Sequence, residues 1–218
     1  MYLYDIVFPF ILFIIITIIF WATDLDIILE KKFYDKEKGW YLQNKKPWIY
    51  LYDYGRYPGA IVFILSFIVY ILSFFIDELV KFRTASLFLF LFMFIGAGIF
   101  INSILKIYWE RPRPKQLKQF GGEHNYVNVW FFGNGGRNSS FPCGHASIGF
   151  YLIFPYFFLK ATNPELAFIF LGLGIIFGFI VGLARMVQGG HFASDVIWAL
   201  GVMYFTGIIL YYLMNLNI

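Results

Sequence analysis

The chain has 218 residues, of which 60% are hydrophobic, 23% aromatic and only 14% charged. Soluble domains carry roughly a quarter charged residues, and 29 phenylalanines exceed what one small aqueous core can hide, so a water-soluble fold is excluded and a membrane protein is expected. A net charge of +4 with no basic tail or repeat argues against a nucleic-acid partner; one cysteine excludes an internal disulfide and a multi-cysteine zinc site.

A helix needs about 20 apolar residues to cross the roughly 30 Å hydrocarbon layer. Five runs without a charged side chain meet that need, at 6–23, 57–76, 84–105, 166–184 and 196–214. A sixth, 146–159, is short and contains Pro155. It is expected to cross as well, because otherwise its flanking segments are stranded on the wrong faces, and a short span recesses whatever sits at its first turn. The prediction is an all-α, six-transmembrane-helix bundle forming a single domain over 1–218. The first run has no basic residue ahead of it and only a weak cleavage site behind it, so it is expected to remain as a helix. Six crossings place 24–56, 106–145 and 185–195 on one face, with 14 of the 17 basic residues. Basic loops favour the cytoplasm, but the same face holds 9 of the 13 acidic residues, and several of its cations look assigned to chemistry. Charge leaves the orientation open.

Between the first two spans, 24–57 interleaves charges with Trp40, Tyr41, Trp48, Tyr50, Tyr52 and Tyr54. Amphipathic rings beside charges suit the headgroup layer, so one or two interfacial helices are expected, either as a belt that fixes depth or as a wall that grips a headgroup. Gly174, Gly178 and Gly182 recur every fourth residue in the fifth run, which favours close helix packing.

Three polar clusters sit at span ends on that common face. In the third, His191 and Asp195 are four apart at a helix start and can meet. A carboxylate on one imidazole nitrogen leaves the other basic and aimed outward, as a nucleophilic or general-base histidine requires. Gly189-Gly190 permits a tight turn that returns Arg185 over the same place. Lys106, Arg111, Arg113 and Arg185 supply cations whose forks and point charge match phosphate oxygens; their bland alternative is snorkelling to lipid headgroups. In the second cluster, Gly144 lets backbone amides approach a ligand and His145 opens a helix whose N-terminus favours an anion. A cysteine phosphatase would need Cys-x5-Arg, and Gly149 stands at that offset from Cys143, so Cys143 is expected to offer its backbone and a weak S–H donor.

Lys106-x6-Arg113-Pro114, Pro142-Cys143-Gly144-His145 and Ala184-Arg185-x5-His191-x3-Asp195, in this order, resemble the three motifs of the type-2 phosphatidic acid phosphatase superfamily, which also contains vanadium haloperoxidases. The resemblance spans about 84–215. It implies a membrane lipid phosphatase without metal or other cofactor. His191 would form a phosphohistidine, Asp195 would orient it, and His145 would protonate the leaving oxygen. Lys106, Arg113, Arg185, Cys143 and Gly144 would hold the phosphoryl oxygens. Cys143 and Ala184 replace the usual serines, which weakens some oxygen contact. Trp109-Glu-Arg-Pro-Arg-Pro and Arg185-Met-x-Gln-Gly-Gly-His-Phe-x-Ser-Asp-Val are similar to the lipid A 4′-phosphatase branch, which implies a bacterial inner membrane with the site facing the periplasm. Lipid A 1-phosphate, undecaprenyl diphosphate and phosphatidylglycerophosphate phosphatases use the same motifs. A lipid phosphotransferase and an inactive lipid-binding relative also stay open; a transporter is disfavoured because the five long runs hold no ionisable group. The partners expected are the bilayer and a lipid phosphate, with no nucleic acid and no obligate protein partner. Specificity is expected from the glycine- and aromatic-rich loop 119–140, read as flexible, where His124 and Arg137, with Arg111 nearby, are possible substrate contacts.

Overall fold

The computed structural model describes residues 2–216, which form helices and loops and contain no β-strand. Five stretches are long and apolar enough to cross a membrane: Tyr4–Thr23, Trp48–Leu72, Asp77–Gln116, Pro164–Val187 and Ala193–Leu213. The ordered helices are α1 (Tyr2–Thr23), α2 (Leu25–Glu30), α3 (Trp48–Tyr54), α4 (Tyr57–Leu72), α5 (Arg83–Met93), α6 (Lys106–Trp109), α7 (Gly144–Phe150), α8 (Phe154–Leu159), α9 (Pro164–Val187) and α10 (Ala193–Leu213). The five long runs expected from the sequence all appear as helices, with ends moved by a few residues.

The sixth expected span, Gly144–Leu159, is shorter. At 1.5 Å per residue it reaches only about 24 Å. It is also broken: a 3₁₀ turn at Tyr151–Ile153 separates α7 from α8, and Pro155 sits in the first turn of α8, where its missing N–H costs no helical hydrogen bond.

α5 runs directly into a π-helix at Phe94–Leu105, which leads into α6. Its wider turn is matched by two side chains that each reach five residues back: Asn102 Nδ2 donates to the Ala97 carbonyl at 2.6 Å and Ser103 Oγ to that of Gly98 at 3.0 Å. Segments of π-helix recur at functional sites, and the extra residue per turn changes the facing of the next side chain in the chain, which is Lys106.

α10 packs against α1, α5, α7, α9 and the π-helix. The core between them is built on Phe88, Phe92, Phe150, Tyr151, Phe157 and Met203. The glycine stripe packs as its spacing predicts, with each glycine against a different neighbour. A Cβ on Gly174 would meet the Ile153 backbone at 2.7 Å, one on Gly178 the Phe150 ring at 2.0 Å, and one on Gly182 Val196 at 2.4 Å.

Two short helices, α2 and α3, form where interfacial helices were expected. Both pack against the bundle. α3 leads through a short turn into α4 and packs on α9, while Asp26, Ile27 and Glu30 of α2 are buried. At the end of the bundle away from these helices, Asp5 of α1 accepts from Lys160 Nζ at 2.6 Å and from the Tyr212 hydroxyl, tying together α1, the α8–α9 turn and the end of α10.

Candidate active site

The chain folds so that the ends of α6 and α9 and the starts of α7 and α10 converge. At the centre is His191, 1% exposed. Its Nδ1 lies 2.5 Å from the Ser140 carbonyl oxygen. A carbonyl only accepts, so Nδ1 carries the proton and Nε2 keeps its lone pair. Burial holds the imidazole well below its ordinary value of 6.5, and the charges of Arg113, Arg185 and Lys106 push it further down. The ring is therefore neutral near pH 7, in the state a nucleophile needs.

Asp195 lies 3.8 Å from His191 Nδ1, beyond hydrogen-bonding distance. This corrects the expected direct pairing: the Ser140 carbonyl steers the ring. The carboxylate is spent elsewhere. Oδ2 accepts from the Phe192 N–H at 2.8 Å, capping α10, and Oδ1 accepts from Arg111 Nη1 at 2.5 Å. Asp195 thus fixes the start of the helix that begins beside His191.

Arg111 requires a second correction. Its side chain is fully buried. Nη1 donates to Asp195 and to Ser194 Oγ at 2.8 Å, Nη2 to Asp26 at 2.8 Å and to Tyr126 at 3.2 Å, and Nε to the Val127 carbonyl at 2.8 Å. All five N–H directions are used inside the protein, so Arg111 does not face a substrate. Asp26 also accepts from the Ser194 N–H at 2.9 Å and the Ser194 hydroxyl at 2.6 Å. Glu30, one turn on from Asp26, is buried with no hydrogen bond to either carboxyl oxygen. Burial, then Asp26 and Asp195, hold its pKa well above 4.5, toward the neutral form.

The remaining cations do converge. Arg113 is fixed by Asn138, with Nε to its carbonyl at 3.0 Å and Nη2 to its Oδ1 at 2.7 Å, and by the Gly190 carbonyl at 3.2 Å from Nη1. One N–H remains on each Nη. Gly189 takes φ +60°, a backbone region L side chains rarely adopt, and the Gly190 N–H returns to the Arg185 carbonyl at 2.9 Å. That turn folds Arg185 over Gly190, where a Cβ would stand 2.6 Å from Nη2. Arg185 Nη1 donates to Gln188, while Nε is buried without a partner, a donor suited to an anion oxygen. A Cβ on Gly144 would lie 3.1 Å from Lys106 Nζ and 2.8 Å from Asn102 Oδ1, so the missing side chain is what lets the lysine approach the start of α7. His145 lies in the same field of charge, acted on by Arg185, Arg56, Lys106 and Arg113.

Cys143 is buried, and burial pushes its thiol pKa up. Its backbone N–H is taken by the Asp195 carbonyl at 3.1 Å, leaving only the neutral S–H as a donor. Ala184 is buried and offers no hydroxyl. The described residues include no grouping of three or more His, Cys, Asp or Glu side chains that could hold a metal ion.

The loop 119–140 is not loose. Gly133 and Gly135 donate to the Trp109 and Glu110 carbonyls at 2.8 and 2.7 Å, and Ser140 to that of Arg111 at 2.8 Å. Trp130, Phe131 and Phe132 stay exposed. His124 is tied by its backbone to Gln116 and lies 3.4 Å from Asn134, and Arg137 is exposed. Neither is among the charges that act on His191 or His145.

Sequence reasoning missed Ser140, Asn138, Gln188, Asp26 and Tyr52, whose ring stacks on His145. Ser140 and Gln188 stand within three residues of a motif residue and Asn138 within four, which is the signal that was there; Tyr52 was marked only as one of the aromatic residues of 24–57, and Asp26 gave no signal.

Known proteins resemble this chain. A lipid A 4′-phosphatase of Francisella tularensis subsp. novicida (strain U112) is 32% identical over 194 residues, covering 88% of this chain and 86% of that one. Lipid A 4′-phosphatases of Rhizobium leguminosarum, 28% identical over 54% of this chain and 50% of theirs, and of Rhizobium etli (strain ATCC 51251 / DSM 11541 / JCM 21823 / NBRC 15573 / CFN 42), 32% identical over 48% and 40%, also match. No solved structure matches. The model of the PAP2 superfamily matches residues 86–218, which hold every convergent group except Tyr52, Arg56, Asp26 and Glu30; the chain belongs to that superfamily of type-2 phosphatidic acid phosphatases.

Proposed function

We propose that the protein removes the 4′-phosphate of lipid A by way of a phosphohistidine, without a metal ion. One observation carries this reading: a buried, neutral His191 whose Nδ1–H is anchored on Ser140, flanked by Lys106, Arg113 and Arg185. Nε2 attacks phosphorus as the bond to the sugar oxygen breaks, and His145 gives that oxygen a proton. His145 then takes a proton from water, the water oxygen bonds to phosphorus, the P–N bond breaks, and phosphate leaves. The three cations and the Cys143 thiol hold the phosphoryl oxygens as charge builds. The relatives' names support the substrate.

The same reading makes the protein a single-domain, multi-pass component of a bacterial inner membrane. Gly144–Leu159 is its sixth crossing and the site faces the periplasm, with α2 and α3 near the headgroup layer. Support for the crossing comes from the two ends of that segment. His145 meets Tyr52 and the field of Arg185, while Lys160 pairs with Asp5 near the start of α1.

The test is mass spectrometry of lipid A after incubation with purified protein in detergent, with and without EDTA. Loss of one phosphate from the distal sugar, unaffected by EDTA and absent in His191→Ala, is expected. Loss from the proximal sugar, or from undecaprenyl diphosphate or phosphatidylglycerophosphate instead, would move the protein to another branch. Undiminished release by His191→Ala would end the mechanism.

A further inference from the structure

Tyr52 lies outside the residues that match the family model, on the short helix before α4, yet its ring meets two side chains of the site. It stacks on the His145 imidazole, with centroids 5.2 Å apart and planes 17° from parallel. The Arg185 guanidinium carbon stands 4.6 Å over the same ring. Two glycines build the approach. A Cβ on Gly55 would lie 3.0 Å from Val181 on α9, and one on Gly59 would lie 2.5 Å from the Ile148 carbonyl oxygen on α7. The α3–α4 junction is thereby pressed onto the two helices that carry Arg185 and His145.

The two partners differ in what else holds them. Arg185 donates to Gln188 and is folded over Gly190. Among the described residues no hydrogen bond reaches the His145 ring, and Tyr52 is the one ring stacked on it. A histidine side chain has several staggered rotamers, whereas a proton donor must lie within about 3 Å of the oxygen it serves.

We propose that Tyr52 is a positioning residue: its ring holds the His145 imidazole where it can protonate the leaving oxygen. This rests on the phosphatase reading above. The leaving sugar oxygen of lipid A is strongly basic and needs that proton; the leaving oxygen of p-nitrophenyl phosphate is weakly basic and does not. Tyr52→Leu should lower kcat on lipid A by about ten- to a hundredfold, with KM changed by less than about threefold. Tyr52→Phe keeps the ring and should stay within about threefold of wild type, and on p-nitrophenyl phosphate the first burst of p-nitrophenol, which precedes the water step, should slow by less than about threefold in Tyr52→Leu. Added to His145→Ala, Tyr52→Leu should cost nothing further on lipid A, because the group it acts through is already gone. Tyr54→Leu, on the same helix but 56% exposed, should behave as wild type. A p-nitrophenol burst slowed as much as release from lipid A, or a Tyr52→Leu loss that adds in full to that of His145→Ala, would mean that the ring supports the fold or Arg185, and would overturn the proposal. Wild-type activity in Tyr52→Leu would overturn it alone. A wild-type protein that releases no phosphate from lipid A would overturn the underlying reading together with it.

Discussion

Removing the Arg111 side chain would leave Asp26 and Asp195 buried without the cation they share. An uncompensated buried charge costs about 3–5 kcal/mol, so Arg111→Ala should lose most of its thermal stability in detergent, and Arg111→Lys, which has no fork to bridge two carboxylates, should recover only part. A variant with wild-type melting and a raised KM would instead return Arg111 to the substrate. Arg113, two positions away, should act on chemistry. Its charge is the largest after burial in pushing His191 below 6.5, so the acid limb of kcat/KM should lie below pH 6.5 in the wild type and move upward in Arg113→Ala, as the imidazole regains affinity for a proton. A pH-rate profile in the two proteins checks this; a limb that stays in place would separate Arg113 from His191. The sequence set Arg113 in the motif and left Arg111 a possible substrate contact, with no sign that Arg111 is buried between two carboxylates. Both flank Pro112 in one motif, and their separate fates depend on Asp26 and Asn138, which lie 85 and 25 residues away. The pattern was legible where chemistry repeats at fixed spacing, as at Lys106, His145 and His191, and silent where a partner comes from a distant loop.

At the scale of helices, the α7–α9 contact sets the distance between the start of α7, with His145, and the end of α9, with Arg185. Gly178 meets the Phe150 ring so closely that an added Cβ would stand 2.0 Å from it, whereas one on Gly172 would meet nothing within 4 Å. Gly178→Ala should therefore cost about 1–3 kcal/mol through overpacking and should lower phosphatase activity as the two helix ends part. Gly172→Ala should be neutral or stabilising by up to about 1 kcal/mol from helix propensity alone. Thermal unfolding of both variants in one detergent decides, and equal behaviour of the two would mean that this contact yields freely. The four-residue repeat of Gly174, Gly178 and Gly182 announced a packing face because glycine spacing is itself the helical period. Gly172, two residues off that repeat, falls on the opposite side of the helix, where an added Cβ meets nothing. The π-helix at Phe94–Leu105 was unreadable, since its residues form an uncharged, largely apolar run and the extra residue per turn depends on hydrogen bonds that Asn102 and Ser103 make to the backbone.

For the molecule as a whole, the number of crossings turns on one short segment. Apolar run length could not resolve it: Gly144–Leu159 is too short for a full crossing by count and is interrupted at Tyr151–Ile153. Its ends are better witnesses than its length. The first turn shares a charge field with Arg185 at the end of α9, and Lys160, just past its last residue, pairs with Asp5 and stacks over Tyr211 and Tyr212. In the proposed six-crossing arrangement this segment passes between its neighbours, and a span shorter than the hydrocarbon layer can be met by local thinning. Parity then becomes measurable. Cys143 is buried with its pKa raised, so the wild-type chain should react slowly with a membrane-impermeant maleimide. On that quiet background, Arg137→Cys before the segment and Glu165→Cys after it, both at exposed positions, should label from opposite sides of intact cells with a permeabilised outer membrane. Cys at 137 should react at once, and Cys at 165 only after the inner membrane is opened. Labelling of both from the outside would reduce the crossings to five and leave the termini on opposite faces. Labelling of 165 but not 137 would keep six crossings and turn the phosphoryl pocket toward the cytoplasm, so that the proposed substrate would have to be met on that side of the membrane.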